Sequence, residues 1–342
     1  MRGNLVQDCS FPPTRIGDII NRHSNKIEYL ELYLSQTDIC QLGMDDIELP
    51  LLERVSFGPI FPAHLDNPVV VFPHAPRLRD VSLAASFEYY TLPWLQLTTF
   101  EGVIKSMELF SVALNLIEVK CSVESLDPMP VSPVYHPHLQ SLAFVPIIKP
   151  PMDILPYLTL PSLQVLHISE VEDTAYPSLL EFFERSAPPL TTLYIRANNE
   201  DFVDWEKSVS SVGATLEKLE LEYPTRAVQD SILCIDGDSY PFHRRVETST
   251  TFPRLPKLTS LSFLESDGVD YDVLLWFLKK RSWGEGTARL KSFRLVWKHC
   301  TFLPSIFRAG PERDLCMRDL RRLAETGLNL HIGTESTNHL RW

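Results

Sequence analysis

Three observations predict an α/β fold, a solenoid built from one repeated unit. A short apolar motif recurs along the chain, the recurrence is regular, and several stretches between copies have helical periodicity. The motif is clearest in LPSLQVLHI (160–168) and APPLTTLYI (187–195), which share the core P-x-L-x-x-L-x-(I/L/F). The same core returns as PLLERVSF (50–57), PRLRDVSL (76–83), PHLQSLAF (137–144) and PKLTSLSF (256–263). Without the proline it returns as IEYLEL (27–32), LTTFEG (97–102), LIEVKC (116–121), LEKLEL (216–221) and LKSFRL (290–295). Most of these eleven copies start 19 to 27 residues apart, with two longer intervals of 42 and 32. That period and pattern are those of a leucine-rich repeat.

The prolines separate repetition from chance. With 27 prolines in 342 residues, about one of eleven copies would carry proline at a given position, and six do. Proline cannot continue a helix and biases the residue before it toward extended backbone, so it resets the chain ahead of each strand. Alternation within each copy then places the fourth and sixth positions on one face of a strand.

Between the strands, SLLEFFERS (178–186), DFVDWEKSVSSVG (201–213) and YDVLLWFLKKRSWG (271–284) read as helices, the last two ending in glycine. RIGDIINRH (15–23) and RDLCMRDLRRLAETG (313–327) are two more, near the ends of the sequence. The expected architecture is an irregular horseshoe, with parallel strands on the concave face and helices and loops on the convex face. No unit buries its apolar side alone, and stacked neighbours cover it. The expected organisation is a lead-in with a capping helix over 1–26, about eleven repeats over 27–332 with an inserted loop near 225–253, and a tail over 333–342.

Composition is that of a globular protein, with 44% apolar and 22% charged residues. A formal net charge of −12 argues against nucleic acid as a partner, because phosphate binding needs a concentrated basic surface. The basic clusters Lys279–Arg281 and Arg318–Arg322 read as solvated helix faces. No apolar run approaches the roughly 18 residues that span a bilayer. The six cysteines, Cys9, Cys40, Cys121, Cys234, Cys300 and Cys316, show no paired spacing and are expected to be free thiols, which fits the cytoplasm or nucleus.

The sequence carries no recognisable catalytic or metal motif, so no enzyme activity, cofactor or metal is expected. There is no phosphate loop, nucleophile elbow, H-E-x-x-H or C-x-x-C. His136 and His138 flank Pro137 in a potential metal pair, but no Cys or carboxylate of suitable spacing joins them, and an exposed loop is the expected setting. Asp236 and Asp238 begin a calcium-like DGDS without the later oxygen ligands. Nothing in the sequence sets a histidine as the general base of Cys9, Cys300 or Cys316.

The strand register selects candidate binding residues. On the face opposite the core it places Tyr29, Glu31 and Tyr33 in the first copy and His167 in the seventh. Tyr194 and Arg196 follow in the eighth, Lys218, Glu220 and Glu222 in the ninth, and Arg294 in the eleventh. Tyr and Arg are frequent interface anchors. Ser82, Ala84, Ser141, Ala143 and Ser169 suggest a floor of small residues between these rims, with room for a target protein.

The runs KIEYLELYLSQTDICQLGMDDIELPLLERVSF and LPSLQVLHISEVEDTAYPSLLEFFERSAPPLTTLYI resemble the leucine-rich region of F-box proteins from mushroom-forming fungi. The likeness runs from about residue 12 to 332, including a terminal strand in GLNLHIG (327–333). It implies the substrate-recognition part of an F-box subunit of a cullin-RING ubiquitin ligase. Two features depart from the pattern. Only Asn198 occupies the position of the asparagine that ladders many such solenoids, and 26 residues before the first copy are too few for an F-box, so adaptor binding is expected only if an F-box lies upstream. A stand-alone leucine-rich scaffold unrelated to ubiquitination is the alternative.

Overall fold

The computed structural model describes residues 4–5, 12–34, 36–58, 68–124, 132–145, 154–171, 176–197, 205–233, 255–266, 269–283, 287–297, 311–338 and 340. The chain divides into two compact units, Met1–Leu163 and Gln164–Trp342. Both are built from parallel strands, and neither set of strands closes into a barrel.

The first unit contains β1 (Asn4–Leu5), β2 (Tyr29–Leu32), β3 (Arg54–Phe57), β4 (Val69–Val70), β5 (Asp80–Ser86), β6 (Tyr90–Thr91), β7 (Thr99–Ile104), β8 (Glu118–Val123), β9 (Val134–Tyr135), β10 (Ser141–Phe144) and β11 (Leu158–Thr159). Its main strands lie in the order β1-β2-β3-β5-β7-β8-β10. Its helices are short, apart from α1 (Pro13–Arg22): α2 is Gln36–Gln41 and α3 is Glu108–Val112. The returning segments instead form two small parallel pairs, β4 with β6 and β9 with β11. Eighteen of the 27 prolines fall in this unit, and proline both removes a helical donor and clashes with the preceding turn.

The second unit alternates strand and helix throughout its described length. Its elements are β12 (Val165–Val171), α4 (Tyr176–Ser186), β13 (Thr192–Ala197), α5 (Trp205–Val212), β14 (Lys218–Glu222) and α6 (Arg226–Leu233). They continue with β15 (Ser260–Ser266), α7 (Tyr271–Trp283), β16 (Ser292–Trp297), α8 (Pro311–Glu325) and β17 (Asn329–Gly333). The strands pair in sequence order. The helices bury residues at helical spacing, as with Leu179, Phe182 and Phe183 on α4 and Leu274, Phe277 and Leu278 on α7. Helix α6 occupies 226–233, the start of the expected insertion, and buries Val228, Ile232 and Leu233. The rest of that insertion lies outside the described residues, as do Asn198, Cys9, Cys234 and Cys300, and the calcium-like Asp236 and Asp238.

Strand register follows the motif. In the second unit Leu166 faces Leu193, Leu193 faces Leu219, Leu219 faces Leu261, Leu261 faces Phe293, and Phe293 faces Leu330. The sixth positions run likewise through Ile168, Ile195, Leu221, Phe263, Leu295 and Ile332. The first unit shows the same alignment, with Leu30, Val55, Val81, Phe100, Val119 and Leu142 in one row. A one-residue slip would turn a whole row from core to solvent, so burial enforces this pairing.

A backbone device repeats at the strand entries. The carbonyl of the residue after the first leucine accepts two N–H groups from the next copy. Glu53 O accepts from Arg79 N (2.9 Å) and Asp80 N (3.1 Å), and Thr191 O accepts from Glu217 N (2.8 Å) and Lys218 N (2.9 Å). Glu217 O does the same for Thr259 and Ser260 across the 42-residue interval, so the long insertion leaves the stacking intact.

The prolines act one step earlier than their sequence suggests. Leu52 N donates to Leu49 O (3.2 Å), Leu78 N to Ala75 O (3.1 Å), Leu163 N to Leu160 O (3.3 Å) and Leu258 N to Leu255 O (3.2 Å). Each proline therefore sits second in a tight turn, where its fixed φ is already the required one.

Two residues expected on the surface are buried. His136 is 0% exposed, while His138 is exposed, so HPH is not an exposed loop. In this copy the histidine side chain replaces the turn carbonyl: Leu139 N donates to His136 Nδ1 (3.2 Å), and His136 Nε2 donates to Ala113 O (3.1 Å). Both bonds require the neutral ring protonated at Nε2. Arg281, expected on a solvated face, is 2% exposed and donates to Leu255 O (2.9 Å). Lys279 of the same cluster pairs with Asp319 at 2.6 Å, and Arg318, Arg321 and Arg322 are exposed.

The burial of His136 gives a pH dependence. Loss of hydration lowers its pKa from the ordinary 6.5, with the nearby His138 also lowering it and the Ala113 bond opposing. A depressed folded-state value means that the unfolded chain binds the extra proton first. The stabilisation is therefore complete above about pH 6.5 and declines as pH falls from there toward the lower folded value. Urea unfolding at pH 7.5 and 5.0 is expected to show a larger loss for the wild type than for His136→Asn, whose amide oxygen can still accept the Leu139 N–H. Equal losses would remove His136 as the source.

Candidate functional site

In each unit alternation leaves the third, fifth and seventh motif positions on the face opposite the core, and the candidate residues named from the sequence fall at these positions. In the first unit, Tyr29 donates to Glu31 Oε2 (3.0 Å), and Tyr33 donates to the other oxygen of the same carboxylate. The Glu31 bond raises the Tyr33 phenol pKa above its usual value. The close approach of Tyr33 explains Gly58: a Cβ there would lie 2.0 Å from the Tyr33 ring.

The expected floor of small residues is interrupted. Ser82 and Ala143 lie in one row, but Glu101 and Lys120 stand between them and pair at 2.7 Å. In the neighbouring row Arg54 pairs with Asp80 at 2.8 Å. Ser169, in the second unit, is itself 8% exposed and lies 3.3 Å from His167 Nε2. The small side chains belong to the third, sixth and seventh copies, and the fourth and fifth carry the charged pair.

The second unit gathers most of the candidates. His167 and Tyr194 are direct partners in register, with ring centroids 3.8 Å apart. Tyr194 donates to Glu222, and Arg196 Nε lies 3.4 Å from Glu222 Oε1. Burial, then the Glu222 carboxylate, pushes the Tyr194 phenol pKa well up, so it stays a donor at neutral pH. Lys218 pairs with Glu220 at 3.2 Å on the same strand. Arg294 stands apart from this cluster and pairs with Glu335 at 3.0 Å.

Tyr223 was missed from the sequence. It has a left-handed φ of +58° just beyond β14, and its ring centroid lies 5.4 Å from the Arg196 guanidinium. This cation–π contact and the Glu222 pair hold Arg196 between two partners. Neither signal is local, because a non-glycine residue with positive φ has no reliable signature in one sequence.

In the second unit this face presents aromatic rings, the guanidinium groups of Arg196 and Arg294, and carboxylates held by tyrosine, lysine and arginine partners. Groups of three or more His, Cys, Asp or Glu arranged to hold a metal do not occur among the described residues. Cys40, Cys121 and Cys316 are free thiols, and burial raises the Cys316 thiol pKa to about 11, away from reactive thiolate. Among the described residues, no helix is long and apolar enough to cross a membrane. No protein-family model matches the chain, and no curated protein matches it.

Proposed function

We propose that this chain is a protein-binding leucine-rich-repeat solenoid whose polar, concave face holds a target protein, as in the recognition part of an F-box ubiquitin-ligase subunit. The observation that carries this reading is the cluster of Tyr194, Arg196, Glu222 and His167. Its side chains are ordered by mutual contacts and project away from the core, so little entropy is lost when they engage a partner. The motif period and the sequence likeness to fungal F-box proteins support the link to ubiquitination. No catalytic role, cofactor or nucleic acid partner belongs to this proposal.

Affinity capture with the purified chain as bait, from cells of its source, tests the proposal. Replacing Tyr194 and Arg196 together with Ala is expected to weaken target capture by about 2 kcal/mol or more, roughly thirtyfold. The core rows are untouched by the double change. An identical set and yield of captured proteins from wild type and double variant would remove this cluster as the binding site.

A further inference from the structure

A second feature of the polar face is a cavity of about 310 Å³ in the last two repeats, lined by Ser292, Arg294, Asn329, His331 and Glu335. Ser292 faces Asn329 and Arg294 faces His331 across β16 and β17. A hairpin after β17 folds beside them, closed by an antiparallel bridge between Gly333 and Asn338. Asn338 anchors it by acting as a peptide group: its Oδ1 accepts Ile332 N–H (3.2 Å) and its Nδ2 donates to Leu330 O (2.8 Å). The edge of β17 is thereby partly paired, and the hairpin is held against the cavity.

The cavity has more hydrogen-bonding capacity than it uses. Among the described residues, Arg294 makes one polar contact, to Glu335, although a guanidinium carries five N–H donors. Glu335 is itself 71% exposed and reaches Arg294 through one oxygen. His331 Nε2 bonds to Thr334 O (2.8 Å), and the residue lines the same cavity. Ser292 and Asn329 add a hydroxyl and an amide.

We propose that this cavity binds an acidic side chain of a partner polypeptide, and that Glu335 is an internal surrogate for it. A carboxylate presented with two oxygens fits the fork of Arg294 better than the single contact made by Glu335. A peptide also brings backbone N–H and C=O groups to the hydroxyl of Ser292 and the amide of Asn329, which line the cavity, and a bare dicarboxylate lacks them. The proposal rests on the reading of this face as a protein-binding surface, and it names a partner chemistry at a place separate from Tyr194 and Arg196.

The test titrates the full chain with the peptide acetyl-Ala-Glu-Ala-amide while following the His331 ring protons by NMR. Saturable shifts are expected in the wild type. Glu335→Gln should tighten binding about two- to fivefold, because an exposed ion pair is the competitor being removed. Arg294→Met should weaken it at least tenfold, and Arg294→Lys should fall between, having charge without the fork. The Tyr194→Ala, Arg196→Ala double variant should bind the peptide as the wild type does, which separates failure of this site from failure of the larger surface. No saturable shift in either the wild type or Glu335→Gln overturns the proposal, as does unchanged binding in Arg294→Met. Glutarate binding as tightly as the peptide overturns the assignment to a polypeptide.

Discussion

Leu193→Ala is expected to destabilise the protein by about 3 to 5 kcal/mol. Leu193 is 0% exposed and stands in register between Leu166 and Leu219, which are also 0% exposed. Truncation removes the transfer free energy of the side chain and leaves a cavity, and fixed strand spacing on both sides limits collapse into it. Urea unfolding followed by circular dichroism measures the loss. Lys218→Ala, at an exposed position on the next strand, serves as control and is expected to change stability by no more than about 0.5 kcal/mol. A loss below about 1 kcal/mol for Leu193→Ala would place that residue outside the core and overturn the register.

Arg281→Ala is expected to cost about 3 kcal/mol. The guanidinium donates to Leu255 O and lies 5.7 Å from the Phe277 ring centroid, tying the end of α7 to the turn that starts β15. Leu255 O also receives the turn bond from Leu258 N, so the arginine supports a carbonyl on which the strand entry depends. Truncation removes this bond and the buried stem together. Arg281→Met restores much of the volume without the donor, and its expected cost is about 1 to 2 kcal/mol, the share due to the polar contact. Chemical unfolding of both variants separates the two parts. Arg281→Met at or above wild-type stability would mean that dehydrating the cation outweighs its bonds, as happens at some buried charges.

The elements read from sequence were those whose signal is local. SLLEFFERS and YDVLLWFLKKRSWG became α4 and α7, because apolar residues at helical spacing need only a neighbouring surface of any kind. The L-x-x-L-x-L copies became strands with matched fourth and sixth positions, because repetition makes each strand's partner a near copy of itself. The fungal F-box likeness and the binding role belong to a different level, and the capture experiment addresses them.

The polar face was legible as a list of residues and not as an arrangement. Register placed His167 beside Tyr194, but not the bend at Tyr223 that brings its ring near Arg196. The row of small residues read from individual copies is broken by Glu101 and Lys120, whose pairing appears only when strands lie side by side. Sequence alone determined the repeating core, since hydrophobic burial depends on which side of a strand a residue occupies, and alternation settles that locally. Tertiary structure decided where polar groups find partners. His136 bonds to Ala113, 23 residues away, Arg281 to Leu255, 26 away, and Arg294 to Glu335, 41 away. Hydrogen bonds are directional and short, so they depend on the exact meeting of distant segments, which no local pattern encodes.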